Sequence, residues 1–238
     1  MLTQAPFCKS QYRAIFILMS LLLTLAACSS NHVETTPVTI ATPAPYKATA
    51  ENTLGTNENG KGLNKGTEIN NLALTDIHGD NFKLADAWNE KPALIVFYRG
   101  GWCPYCNMQV RELAENYQAL KSAGVQPVLI SVDAPDKTAL LSATYQIPFP
   151  VLSDPQLIAH QQFNVILKLD EATLVKYREY GINLSDWSGQ EHNAIAVASV
   201  FIIDQQGRVL VSHTVADYSQ RPSVEQLLEL IEQAATDK

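Results

Sequence analysis

The stretch Phe97-Tyr98-Arg99-Gly100-Gly101-Trp102-Cys103-Pro104-Tyr105-Cys106 constrains the fold of this chain more than any other. Ala93 to Tyr98 is continuously apolar, as a strand covered on both faces must be, and an amphipathic segment begins directly after Cys103. The Gly pair and Trp102 make the turn, so both cysteines fall where a strand becomes a helix. A thiol at a helix start faces unpaired backbone N–H groups and the positive end of the dipole, which favour thiolate over thiol. That placement predicts a low-pKa nucleophile at Cys103. Cys106, one turn on, is the resolving thiol, and Pro104 suits the first helical position.

The chain has four cysteines, but Cys8 lies before an N-terminal apolar run and Cys28 just after it, which leaves one pair in the body of the protein. A structural zinc site usually needs four protein ligands, and a passive staple across two residues would remove little chain entropy. Reversible dithiol chemistry is the remaining reading, and it calls for no cofactor. A formal charge of −7, with 24 acidic and 17 basic residues and no Lys/Arg cluster, speaks against nucleic acid as a partner.

Residues 1–27 read as a targeting segment. Lys9 and Arg13 give a positive start, and Ala14 to Leu25 is an apolar run too short for a typical membrane span. Leu25-Ala26-Ala27-Cys28 resembles the lipobox of bacterial lipoprotein precursors, which implies cleavage before Cys28 and acylation of that residue. Loss of Lys9 and Arg13 would bring the mature charge to about −9. The expected localisation is a bacterial membrane, facing the periplasm or the cell exterior, and Ser29 resembles the residue that follows the cysteine in lipoproteins sent on to an outer membrane. Residues 28–66, rich in Thr, Pro, Asn, Ala and Gly, read as a flexible tether.

The globular domain is expected over 67–238. Asn71–Leu74 and Asn81–Leu84 flank a turn at Gly79 and predict a hairpin, with a helical turn after it at Asp86 to Asn89. Beyond the cysteine helix, which Gly124 should stop, Val128–Val132 reads as a second buried strand, Lys137–Tyr145 as a helix and Val151–Leu152 as a short strand. Strand, helix, strand alternation demands a parallel sheet. Ile166 to Asn193 looks like an insertion, with a helix around Glu171–Tyr180 and a polar loop through Trp187-Ser188-Gly189. Val200–Ile203, the alternating strand Val209–Val215 and a helix opened by Pro222 complete the chain.

This order of elements resembles the thioredoxin fold, an α/β architecture with a central mixed sheet flanked by helices. More narrowly, Phe97 to Cys106, Leu129-Ile130-Ser131-Val132-Asp133, Phe149 to Pro155 and Val200 to Asp204 with Gly207 resemble the peroxiredoxin-like branch of the alkyl hydroperoxide reductase and thiol-specific antioxidant superfamily. The resemblance implies an antioxidant thiol oxidoreductase with peroxiredoxin-type additions to its fold. Its departures are informative. Aligned on Cys106, the Pro and Thr that precede the peroxide-attacking cysteine of that family are Arg99 and Cys103, and the family's peroxide-binding Arg falls on Ala198. The cis-Pro that thioredoxins place opposite their cysteines has no counterpart in Ala196-Val197-Ala198-Ser199, and thioredoxin's buried acidic residue falls on Phe97.

The candidate catalytic residues are Cys103, Cys106 and Arg99, with Trp102 and Tyr105 as candidate substrate-binding neighbours. The leading expectation is an extracytoplasmic thiol-disulfide oxidoreductase that exchanges with a protein partner and draws on a thiol-disulfide electron donor. The first alternative is a thiol peroxidase acting on hydroperoxides. The second is a copper-binding or delivery module that adds His192 to the two thiolates. His160 and His213 read as ordinary structural or surface residues.

Overall fold

The structure is a computed structural model that describes residues 60–236. The signal segment, Cys28 and the tether up to residue 59 lie outside the described residues. Gly60 to Gly66, expected as the end of the tether, is docked. Gly62 N donates to the Asn164 carbonyl at 2.9 Å, Gly66 N donates to Val209 at 2.7 Å, and Leu63 packs against the core.

The expected hairpin forms from β1 (Ala73–Thr75) and β2 (Asn81–Lys83), followed by a 3-10 turn at Leu84–Ala87 and the buried strand β3 (Ala93–Phe97). The cysteine segment is two helices rather than one, α1 (Pro104–Glu115) and α2 (Tyr117–Ser122). They part at Asn116, whose side-chain amide donates to the Glu112 carbonyl in competition with the helix backbone. Then come β4 (Gln126–Ser131), α3 (Pro135–Tyr145), β5 (Val151–Ser153) and α4 (Ile158–Gln162). The insertion comprises β6 (Ile166–Lys168), α5 (Glu171–Glu179), α6 (Leu184–Ser188) and β7 (Ala194–Ala196), and β8 (Ala198–Ile203), β9 (Val209–Val215) and α7 (Val224–Thr236) end the chain.

Seven strands form one mixed sheet in the order β2-β1-β5-β4-β3-β8-β9, parallel between β3, β4 and β5 and antiparallel elsewhere. Successive side chains of β3 face opposite sides. Leu94 and Val96, continued by Tyr98, pack under α1 and α7 with both cysteines. Ile95 and Phe97 enter a second core with Phe163 and Phe201. Burial of each such side chain contributes about 1.5–3 kcal/mol, so β3 is fixed from both faces and its C-terminal end carries the site rigidly.

The insertion is anchored at both ends, because β6 and β7 pair antiparallel from Ile166↔Ala196 to Lys168↔Ala194. The polar loop expected at Trp187-Ser188-Gly189 is instead the end of α6. That helix stops at Gly189, which adopts φ 67°, and the Ser188 hydroxyl bonds back to the Leu184 carbonyl at 3.0 Å.

Candidate active site

The turn between β3 and α1 is built around a glycine. Gly100 has φ +147°, and a Cβ there would lie 2.7 Å from Asp133 Oδ1 and closer still to the Trp102 indole. Gly101 N–H donates to Asp133 Oδ2 at 2.7 Å, and the Asn107 amide donates to the Gly101 carbonyl at 2.7 Å. These bonds seat Cys103 at the N-cap of α1, where its sulfur accepts from Cys106 N–H at 3.4 Å. Pro104 follows at the first helical position, as expected. Both thiols are free, and their residues are 1% and 0% exposed.

The polarity of the pair is the reverse of the sequence expectation. Burial opposes a charge on Cys106, but the hydrogen bond from Cys103, the guanidinium of Arg221, and the backbone N–H and guanidinium of Arg99 outweigh it, lowering the Cys106 pKa to about 6. Cys103 is pushed up, first because its proton is held in that hydrogen bond, then by burial and by the neighbouring thiolate. Helix position alone had favoured Cys103. After the Cys103 hydrogen bond, the strongest support for the thiolate is the charge of Arg221, whose Nη2 donates to Cys106 Sγ at 3.1 Å while Nη1 donates to Gln109 Oε1 at 2.8 Å.

Arg99 is 5% exposed and sits among three aromatic rings. Its guanidinium carbon lies 3.8 Å from the Tyr218 ring centroid and 5.7 Å from those of Trp102 and Tyr177, and Nη2 donates to the Tyr177 hydroxyl. The insertion thus reaches the active edge through Tyr177. Trp102 packs edge-on against Tyr177 at 5.2 Å, and Tyr105 against Tyr218 at 5.6 Å. Both form walls of the site, and neither touches a thiol through any described bond.

Asp133 lies just beyond the end of β4, fully buried and bonded through only one of its oxygens. Burial raises its pKa to about 7, with the Gly101 N–H pulling down and the Cys106 charge pushing up. Burial also raises Tyr98 well above the usual phenol value, with Asp133 and Cys106 adding to the effect. A buried carboxyl that titrates near neutrality therefore lies beneath the cysteine turn, although the position equivalent to thioredoxin's acid is Phe97.

His192 is not available as a metal ligand. Its Nε2 donates to the Pro155 carbonyl at 3.1 Å and its Nδ1 accepts from Ala194 N–H at 3.0 Å, the neutral tautomer. Among the described residues no group of three or more His, Cys, Asp or Glu could hold a metal ion. The copper alternative therefore loses its third ligand. His160 is buried against the Asp154 carboxylate at 2.6 Å, and His213 is buried on β9. Arg221, Gln109, Tyr177, Tyr218 and Asp133 were not singled out as site residues from the sequence. Arg221 stands 115 residues from Cys106 and left no local signal, whereas Asp133 lay inside one of the segments that carried the family resemblance.

A protein-family model described as AhpC/TSA matches residues 66–212. The chain belongs to the AhpC/TSA family. This protein is a thiol-dependent oxidoreductase with the α/β architecture expected, a mixed sheet flanked by helices. It is similar to a candidate peroxiredoxin of Mycobacterium tuberculosis, at 27% identity over 150 residues that cover 63% of this chain and 84% of that one. It is also similar to peroxiredoxin Bcp of Escherichia coli, at 32% over 94 residues covering 40% and 60%. Among solved structures, peroxidoxin BcpB of Mycobacterium tuberculosis matches at 18% identity with a TM-score of 0.57, covering 73% of this chain and 97% of that one. A mutant of Xylella fastidiosa PrxQ matches at 17% identity with the same TM-score, covering 75% and 100%. These two likenesses concern the fold.

Proposed function

We propose that this protein is a thiol peroxidase in which Cys106 attacks the peroxide and Cys103 resolves the product. The observation that carries the reading is the Arg221 guanidinium donating to Cys106 Sγ at 3.1 Å. Cys106 also occupies the place of the family's peroxide-attacking cysteine, and Arg221 supplies from the segment ahead of α7 the positive charge missing at Ala198. The Cys106 thiolate attacks the distal oxygen of the hydroperoxide. The O–O bond breaks, Cys106 becomes a sulfenic acid, and the departing alkoxide takes a proton as the alcohol. Cys103, a hydrogen-bond donor in place of the family's Thr, then attacks the sulfenic sulfur. Water leaves and a Cys103–Cys106 disulfide forms, which an external dithiol reduces. Complete burial of both sulfurs favours a small peroxide over a protein disulfide as the oxidant.

The test is to treat the Cys103→Ser and Cys106→Ser variants with stoichiometric hydrogen peroxide and add a sulfenate trap. Labelling of Cys106 in the first variant, with an oxidation rate far above that of a free thiolate, is expected. Labelling confined to Cys103 in the second would overturn the order of the two thiols. A free-thiolate rate in the wild type would overturn the peroxidase reading.

The lipobox supports an extracytoplasmic enzyme anchored through acylated Cys28, with residues 29 to about 59 as its tether. Cys28→Ser is expected to move the protein from the membrane to the soluble fraction. An unchanged distribution would refute the anchor.

A further inference from the structure

The insertion between β6 and β7 has no part in the peroxidase reading, yet it reaches into the active site. Its helices α5 and α6 pack through Leu174 and Leu184 on Val132 and Ile195, with Trp102 and Tyr177 against the same cluster. The Ala134 N–H donates to the Trp187 carbonyl at 2.7 Å and ties α6 to the loop after β4. From this base the Tyr177 ring meets Trp102 edge-on, and its hydroxyl accepts from Arg99 Nη2. Burial, partly offset by the Arg99 charge, raises the Tyr177 pKa, so the phenol stays neutral.

Arg99 is held without a counter-charge. No ion pair joins it to a carboxylate among the described residues, and its neighbours are the Tyr177 hydroxyl and the rings of Trp102, Tyr177 and Tyr218. A carboxylate would hold the side chain as firmly but would cancel its charge. Neutral rings and a neutral phenol stabilise the cation and leave its field intact. That field falls on Cys106, where, behind the Cys103 hydrogen bond and Arg221, the backbone N–H and guanidinium of Arg99 also favour the thiolate. The resembled family carries Pro at this position, which has neither an N–H nor a charge. With Arg in that place the chain needs a holder for a long cationic side chain, and the insertion provides one.

We propose that the insertion is a working part of the reactive site and that Tyr177 is its positioning residue: the hydroxyl holds the Arg99 guanidinium inside the aromatic cage, where the charge supports the Cys106 thiolate. The role is independent of the oxidant, since it acts on the thiolate before any substrate arrives. Arg99 Nε is already buried without a hydrogen-bond partner. Loss of the phenolic oxygen would leave a second donor of the same buried cation unmet, and the long side chain would then gain by turning toward water and away from the sulfur.

The experiment follows far-ultraviolet thiolate absorbance of the reduced full-length protein against pH in Tyr177→Phe, in Arg99→Gln and in the double variant. Besides Cys103, the charged and titratable groups that face Cys106 are Arg221, Arg99, Asp133 and Tyr98, and among the described residues only Arg99 hydrogen-bonds to Tyr177. Arg99→Gln should lower the thiolate-to-thiol ratio at a fixed pH about tenfold, the low end of what a neighbouring opposite charge does. Tyr177→Phe keeps the ring and should lower the ratio about threefold, a part of the effect of Arg99. In the Arg99→Gln background the same change should have no further effect. An unchanged ratio in Tyr177→Phe would overturn the role, and so would an equal loss with and without Arg99, which marks a tyrosine that only supports the fold. These titrations use no peroxide, so a failure of the peroxidase reading would show separately, as a free-thiolate rate of oxidation in the wild type.

Discussion

Replacing Arg221 with Leu is the most direct test of the electrostatics of the site. Holding Cys106 at about 6 rather than 9 corresponds to about 4 kcal/mol of preference for thiolate, at about 1.4 kcal/mol per tenfold. A full positive charge in hydrogen-bond contact moves a pKa by about one to three. A central value of about two would place Cys106 of the variant near about 8. At pH 7 the thiolate share then falls from about nine-tenths to about one-tenth, and peroxide oxidation slows about tenfold, whereas at pH 9 the loss from ionisation nearly vanishes. The assay is the pH dependence of far-ultraviolet thiolate absorbance and of the oxidation rate, followed in parallel. Arg221→Lys should recover part of the shift, because it restores the charge without the second bond to Gln109. Removing the guanidinium also leaves the Gln109 carbonyl oxygen without that donor, a cost of about 1–3 kcal/mol in stability if no water replaces it. An inflection still near 6 in Arg221→Leu, with the fold intact by circular dichroism, would refute the assignment of Arg221.

Other expected outcomes follow from the same geometry. The folded Asp133 has a pKa of about 7 against 3.8 for a free carboxyl, so its contribution to stability is complete below the lower value and is lost as pH rises through the upper one. In a Cys106→Ser background, which removes the opposite slope of the thiol, urea unfolding at pH 5 and pH 8 should differ by up to about 2.6 kcal/mol from this group. Asp133→Asn should flatten that difference, and a slope retained in the variant would count against Asp133 as its source. Gly100→Ala should destabilise the cysteine turn by at least about 1–3 kcal/mol, since its backbone and the Trp102 and Asp133 side chains leave no room for a methyl group. Thermal unfolding of the reduced protein checks this, and a wild-type midpoint would contradict it. Phe97→Ala should cost about 3–5 kcal/mol, because the ring lies 5.0 Å from Phe163 and 5.1 Å from His160 at the heart of the second core. A loss below about 1 kcal/mol in denaturant titration would mean that the core collapses to fill the space.

Much of the fold could be read from residue order, because its signals are local. The apolar run of β3, the period of α1 and α7 and the alternation of β9 each say which faces must be buried, and alternation of strand with helix then requires parallel pairing. The same local logic located the two thiols at the β3–α1 turn and foresaw Pro104 at the helix start. It failed where side chains compete with backbone, as at Asn116, which divides the cysteine helix. It failed too at Leu184–Ser188, where a polar composition hides a short helix against the site.

What the sequence by itself determined is therefore the element order, the family and the presence of a dithiol at the end of a buried strand, since each depends on neighbours in the chain. Which thiol carries the charge was decided only by tertiary structure. A helix dipole acts over one turn and favoured Cys103, but a guanidinium in contact acts more strongly, and the one from Arg221 reaches Cys106 across 115 residues. The buried carboxyl of Asp133 and the aromatic cage of Arg99 likewise assemble from β4, α5 and the segment ahead of α7. Desolvation and charge proximity depend on distance in space, and only the packed sheet fixes those distances.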